Sequence, residues 1–501
     1  MDYKKLKSGS DVRGVAIGEN AVLTKDVARI LGAAYAQYMA KKLDKPVESL
    51  TVALGRDSRL SGPDLLTATA EGIVSTGANA ADYGMCTTPA MYMAIMTEGF
   101  QPDASIMITA SHHPWMMNGL KFFTPEGGLG FHELDDVLDI AKEIETVGEA
   151  KGQIVHTPFL PTYKKHLQDL IISGVQPDVQ KPLLGLHVVV DAGNGAGGFY
   201  ADVLEELGAW VEGSQFLEPD GHFPNHIPNP ENKEAMASIS SAVLRVGADL
   251  GVIFDADCDR AAIVDHTGKE INRNRLIAMI SAILLEEMPG ATIVTDSVTS
   301  SGLADFIQEW GGVHYRYKRG YRNVIDEAVR LNEAGVNCPL AIETSGHAAL
   351  RSNHFLDDGM YLVTVLLIKA MQMKQQGENL SKLLDGLKEP VESAEIRLNV
   401  VTEDFANDAR QEIEKLMEYA TEQEDWHIAP DNREGVRISF DIDNQLNAAW
   451  FLLRLSVHDP VMPLNAESDV EGGLKIVLSK LYEAISGTNV VDLSPLKKAL
   501  E

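Results

Sequence analysis

Ser111 stands at the end of an apolar run, Ile106-Met107-Ile108-Thr109-Ala110, and is followed by His112, His113, Pro114 and, further on, Lys121. A hydroxyl that carries a phosphoryl group must sit exposed on a rigid turn beside a proton acceptor, and this segment supplies both kinds of residue. An ordinary loop serine making turn hydrogen bonds has the same local look. In a second segment, Gly251-Val252-Ile253-Phe254-Asp255-Ala256-Asp257-Cys258-Asp259-Arg260, three carboxylates alternate after an apolar strand. Such a trio offers hard oxygen ligands to a divalent cation. An EF-hand is disfavoured, because Arg260 and His266 stand where that loop needs Gly and Glu. An Asp-x-Asp phosphatase with an aspartate nucleophile stays open, although the third Asp and the adjacent Arg260 suit a metal and a phosphate contact better. In Ile342-Glu343-Thr344-Ser345-Gly346-His347, a carboxylate and a hydroxyl two positions apart match the mixed donor and acceptor character of sugar hydroxyls. In Leu453-Arg454-Leu455-Ser456-Val457-His458-Asp459-Pro460, Arg454 and Ser456 on one side of a strand end suit a phosphate.

These segments need strands to deliver them. Thr51–Leu54, Leu186–Val190 and Ala291–Val294 are short apolar runs, each leading into a small-residue turn and a helical pattern. The alternation predicts parallel sheets covered by helices, built as three successive α/β units. Toward the end, Ile396–Val400, Val436–Phe440 and Trp450–Leu455 read as strands, and Asp404–Ala420 and Gly473–Ile485 as helices, giving a small α+β domain. The expected division is an α/β domain with the serine loop over 1–158 and one with the metal loop over 159–272. A sugar-recognition α/β domain over 273–391 and a C-terminal α+β phosphate-binding domain over 392–501 follow. A chain of 501 residues is too long for one core.

The net charge of −30 argues against a nucleic-acid or acidic-membrane partner, so a local cationic cluster is required if the ligand is an anion. No window offers the roughly 20 unbroken apolar residues of a bilayer span, and the polar start lacks a signal core, so the expected location is cytoplasmic. Cys86, Cys258 and Cys338 are scattered and form no CxxC pair, which predicts three reduced thiols.

Taken in order and spacing, the four segments resemble the α-D-phosphohexomutase superfamily of phosphoglucomutases, phosphomannomutases and phosphoglucosamine mutases. Further matches are Ser10-Asp11-Val12-Arg13-Gly14, Gly55-Arg56-Asp57-Ser58-Arg59, Thr87-Thr88-Pro89-Ala90, Asp191-Ala192-Gly193-Asn194-Gly195-Ala196-Gly197 and Pro219-Asp220-Gly221-His222-Phe223-Pro224-Asn225. The resemblance implies four domains around a central cleft, three related mixed-sheet α/β domains and a smaller C-terminal α+β domain. It implies interconversion of hexose 1-phosphate and hexose 6-phosphate, of glucose or mannose, through phospho-Ser111 and a 1,6-bisphosphate. The bisphosphate would also act as activator. Asp255, Asp257, Asp259 and a phosphate oxygen on Ser111 would hold Mg²⁺. Arg13, Lys121 and Arg260 would stabilise the moving group, with Lys121, His112 and His347 as acid–base candidates. Glu343 and Ser345 would read sugar hydroxyls, Arg454 and Ser456 the unreacting phosphate, and Arg322 would touch substrate. Together the metal and these cations would form a positive funnel in an acidic protein. The chain departs from the family pattern at His113, Ile342 and Val457-His458-Asp459. Phosphoglucosamine mutase, an aspartate-nucleophile phosphatase and a non-catalytic sugar-phosphate binder are the competing readings.

Overall fold

The computed structural model describes residues 2–456 and 459–501, so Val457 and His458 of the altered loop lie outside the described residues. The chain forms two compact units, Met1–Ile280 with Ser345–Leu383, and Ser281–Thr344 with Leu384–Glu501.

The first unit contains two mixed sheets. In the larger one the strands run Lys7–Ser8, Asp11–Val15, Met117–Thr124, Ala104–Ile108, Thr51–Arg56, Asn79–Met85, Ile154–His156, with Gly127–Gly128 beside Met117–Thr124. Ala104–Ile108 is buried at every position, which is why it reads as an unbroken apolar run rather than an alternating one. Thr51–Arg56 pairs parallel with both neighbours, whereas Met117–Thr124 returns antiparallel to Ala104–Ile108. Helix Lys25–Leu43 begins where Thr24 caps Val27 N at 3.3 Å. It crosses Gly62–Ser75 in near backbone contact: a Cβ on Gly32 would lie 2.3 Å from Thr69 O, and one on Gly72 1.9 Å from Arg29 O. Leu31, Tyr35, Ile106 and Phe122 share the resulting core. Truncating a buried leucine there to alanine costs about 2–5 kcal/mol.

In the second sheet Val188–Asp191 pairs parallel with Leu250–Phe254, which pairs antiparallel with Ala261–Asp265. The register closes at Phe254 opposite Ala261, so residues 255–260 are forced out as a tight loop at the strand end.

The second unit holds Val313–Arg316, Thr292–Thr295 and Leu340–Ile342 in parallel, and an antiparallel five-stranded sheet. Its order is Glu392–Asn399, Val461–Ser468, Gln445–Leu453, Val436–Ile442, His427–Ile428. Phe405–Thr421 and Gly473–Ile485 contribute to the same core, built on Phe440, Phe451 and Trp426. Three α/β domains and a smaller C-terminal α+β domain thus follow one another along the chain, the fold class expected. The strand Val461–Ser468 has no counterpart in the sequence reading, because Pro463 inside it argues against a sheet interior.

Candidate active site

Ser111 and the aspartate loop both follow the carboxyl ends of parallel-paired strands, where open α/β sheets collect ligands. Ser111 is buried, not exposed as expected from sequence, because the aspartate loop packs onto it, and it holds a left-handed backbone, φ +50°. Its Oγ donates to Asp255 Oδ2 at 2.8 Å and accepts from Arg260 Nη2 at 2.9 Å. Arg260 also donates through Nε and Nη2 to Asp255 Oδ2, at 3.1 and 2.9 Å. Its Nη2 reaches His112 Nδ1 at 2.5 Å, so that nitrogen accepts and the His112 proton belongs on Nε2. Burial, and then the Arg260 charge, hold His112 far below the ordinary imidazole range.

Asp255, Asp257 and Asp259 are all buried and bring one carboxylate oxygen each within 4.8 Å of the others. Lys121 lies opposite Met107 on the neighbouring strand, and its Nζ bonds Asp257 Oδ2 at 3.0 Å and Asp259 Oδ2 more closely. Burial pulls the Lys121 ammonium toward neutrality, but the Asp257 and Asp259 charges outweigh it and raise its pKa well above the usual value. Thr88 Oγ1 donates to Asp257 Oδ2 at 2.5 Å, and Thr88 N to Asp257 O at 2.9 Å. Asp257 Oδ1 and Asp259 Oδ1 are buried without a hydrogen-bond partner. Burial, and then Asp259, raise the Asp255 pKa. Orphaned carboxylate oxygens and mutual repulsion are what a hard divalent cation relieves, so these residues fit Mg²⁺.

His347 belongs to the same unit and forms an isolated backbone bridge with Arg260. Its Nδ1 meets Asp357 Oδ2 at 2.7 Å. Burial lowers the His347 pKa, but Asp357 and then Asp259 overcome that and push it up to about 9. Arg13 pairs with Asp11 at 3.0 Å, and its Nε is buried without a hydrogen-bond partner. Ser345, two residues before His347, is buried in this unit.

In the second unit Glu343 is buried and its Oε1 accepts from Gly320 N at 2.6 Å. The neighbouring Thr344 donates to Asp296 Oδ2 at 2.7 Å. Arg322 bonds Asp326 at 3.0 Å, one turn along its own helix Tyr321–Glu333, whereas Arg319 turns toward Asp296 at 4.0 Å. Arg454 is buried with Nε lacking a hydrogen-bond partner, and Ser456 Oγ accepts from Asp459 N at 3.3 Å. Ser111, His112, Lys121, Arg13, the three aspartates, Arg260, Ser345 and His347 therefore share one unit, while Glu343, Arg322, Arg454 and Ser456 belong to the other. Thr88, Arg319 and Asp357 were not singled out from sequence. Thr88 sits in a quoted motif whose Thr-Pro pair reads as a helix start, while Arg319 and Asp357 carry no local signal.

Comparison with known proteins identifies the family. Models of phosphoglucomutase/phosphomannomutase α/β/α domains I, II and III match residues 4–149, 161–268 and 272–390. A phosphomannomutase/phosphoglucomutase of Pseudomonas aeruginosa is 30% identical over 468 residues, covering 93% of this chain and 92% of that protein. A Neisseria gonorrhoeae phosphoglucomutase is 29% identical over 489 residues, covering 97% of each. The crystal structure of a Burkholderia thailandensis family protein superposes with a TM-score of 0.80 at 27% identity, over 98% of this chain and all of that one. The chain belongs to the phosphoglucomutase/phosphomannomutase family of the α-D-phosphohexomutase superfamily. It is a phosphohexomutase, an isomerase of carbohydrate metabolism that moves phosphate within a sugar phosphate.

Proposed function

We propose that this mutase carries its phosphoryl group on Ser111 and interconverts the 1- and 6-phosphates of glucose or mannose through a 1,6-bisphosphate. The observation that supports the carrier role is the Ser111 hydroxyl, 2.8 Å from Asp255 and 2.9 Å from Arg260 within the carboxylate cluster. In the first transfer a P–O bond to Ser111 breaks and one to the free sugar hydroxyl forms. That hydroxyl gives up its proton, and Ser111 Oγ takes one. In the second transfer the other phosphate returns to Ser111. Asp255, Asp257 and Asp259, with a phosphate oxygen on Ser111, would hold Mg²⁺; when bound, the ion neutralises charge on the moving phosphoryl group.

Arg13 and Arg260 add fixed positive charge for the same purpose. His347, protonated through neutral pH by its Asp357 partner, is suited to supply the proton that Ser111 needs. Lys121 is the second acid–base candidate in this reading, because its ammonium already lies among the ligands. His112, held neutral and facing Arg260, would orient rather than donate. Glu343 and Ser345 would bind sugar hydroxyls, Arg454 and Ser456 the other phosphate, and Arg322 the substrate's edge, with hexose 1,6-bisphosphate as activator. A cytoplasmic location is the setting this reading assumes.

Intact-mass and peptide mapping after incubation with glucose 1,6-bisphosphate tests it. Phosphate should appear on Ser111, and Ser111→Ala should lower kcat by roughly 10³-fold or more. A wild-type serine that the bisphosphate never labels would overturn the carrier role.

A further inference from the structure

Behind Ser111 lies a closed ring of hydrogen bonds that the reaction itself does not use. The Arg59 side chain is wholly buried. Its Nη1 donates to Pro114 O and Met117 O, both at 2.9 Å, and its Nη2 to Ser111 O at 2.5 Å and His113 O at 2.7 Å. Its Nε faces Asp57 Oδ2 at 3.3 Å, and its own backbone N–H donates to Asp57 Oδ1 at 2.9 Å. Thr109 Oγ1 donates to Asp57 Oδ2 at 2.7 Å, and Ser111 N donates back to Thr109 Oγ1 at 2.8 Å. The ring runs from the serine's carbonyl through arginine, aspartate and threonine to the serine's amide. A strap from the second sheet's domain seals it: the Phe223 ring lies 5.1 Å from the Arg59 guanidinium carbon. A Cβ on Gly221 would come within 2.5 Å of Ser58 O.

Such an arrangement is demanding. A buried guanidinium is costly to desolvate; here four carbonyls accept from its two Nη groups, while Nε has no hydrogen-bond partner and meets Asp57 as an ion pair. Lysine cannot replace it, since its single ammonium cannot span four oxygens in a plane. What the ring fixes is a serine at φ +50°, a left-handed conformation disfavoured for a non-glycine residue unless its surroundings hold it. In that conformation the Oγ lies on Asp255 and Arg260.

We propose that Arg59, Asp57 and Thr109 are positioning residues that aim the Ser111 hydroxyl, setting the rate at which Ser111 is phosphorylated and gives up its phosphate without setting sugar affinity. The proposal rests on Ser111 being the carrier. It explains why two matched motifs, Gly55–Arg59 and Pro219–Asn225, contribute no group to the phosphate chemistry.

The test compares wild type, Thr109→Val, Thr109→Ser and Arg59→Lys. Labelling of Ser111 by glucose 1,6-bisphosphate is followed by intact mass, alongside kcat, KM and thermal midpoint. Thr109→Val removes the hydroxyl at nearly constant shape; it should slow labelling and lower kcat about 10–100-fold, the scale of a misplaced reacting atom, with KM nearly unchanged. Thr109→Ser should restore both, and a folded Arg59→Lys should behave as Thr109→Val does. If Thr109→Val labels at the wild-type rate, if its loss appears in KM alone, or if Thr109→Ser is as impaired as Thr109→Val, the proposal is wrong. Failure of the wild-type serine to label at all would instead remove the carrier reading on which it rests.

Discussion

The behaviour of the three aspartates follows from the groups that already touch them. Asp257 Oδ2 is held by Thr88 Oγ1 and Lys121 Nζ, which leaves Oδ1 without a hydrogen bond. A donor that orients a metal-binding carboxylate contributes to affinity without touching the ion. Thr88→Val should therefore raise the Mg²⁺ concentration for half-maximal activity about 10–100-fold, while kcat at saturating Mg²⁺ stays near wild type. A Mg²⁺ titration of initial rates checks it, and an unchanged midpoint would dismiss Thr88 from that role. The chemistry-bearing residues were legible in sequence because short-range order exposes them: Ser111 lies in the turn just past the strand Ala104–Ile108, and the aspartates alternate in a strand-end loop. Thr88 and Asp357 were not, because their partners are 169 and 10 residues away and only folding brings them into contact.

At the scale of elements, glycine-rich and polar loops lock the second sheet from behind. Asp191, at the end of Val188–Asp191, receives Gln215 Nε2 at 2.7 Å and faces His226 Nε2 at 3.0 Å through both oxygens. Burial disfavours the His226 cation, but the hydrogen bond and charge of Asp191 outweigh it and raise the pKa above the usual imidazole value. A histidine whose folded pKa is raised stabilises the fold fully below its unfolded pKa of about 6.5 and stops doing so as pH rises through the folded value. Denaturation of wild type and His226→Gln should thus differ most near pH 6 and converge as pH rises above the folded pKa. A gap that widens with pH would contradict the assignment. In the C-terminal sheet, the sequence marks Val436–Phe440, whose apolar residues alternate with polar ones, and Trp450–Leu455, which opens on four apolar residues, but not Val461–Ser468. Pro463 hides that strand, although Val461 to Ser468 pairs along its whole length with Asn399 to Glu392.

For the molecule as a whole, every candidate metal ligand among the described residues lies in the unit Met1–Ile280 with Ser345–Leu383. A ligand that binds only the folded form stabilises the part that holds it, in proportion to RT ln(1 + [L]/Kd). Calorimetry should resolve two transitions, and Mg²⁺ should raise one while leaving the other in place. A single transition that shifts as a whole would show that the units unfold together. Among the described residues no helix is long and apolar enough to cross a membrane.

The division between sequence and structure falls along a physical line. Strand-end loops, helix starts and the Asp-x-Asp-x-Asp spacing were determined by the sequence itself, because strand period, backbone preference and ligand type are local properties. Which serine oxygen meets which aspartate depended on two sheets packing, since Ser111 and Asp255 are 144 residues apart along the chain. The ring through Arg59 was likewise decided only in three dimensions: a buried arginine announces nothing in sequence, and its four carbonyl partners exist as a set only after the serine loop has closed around it.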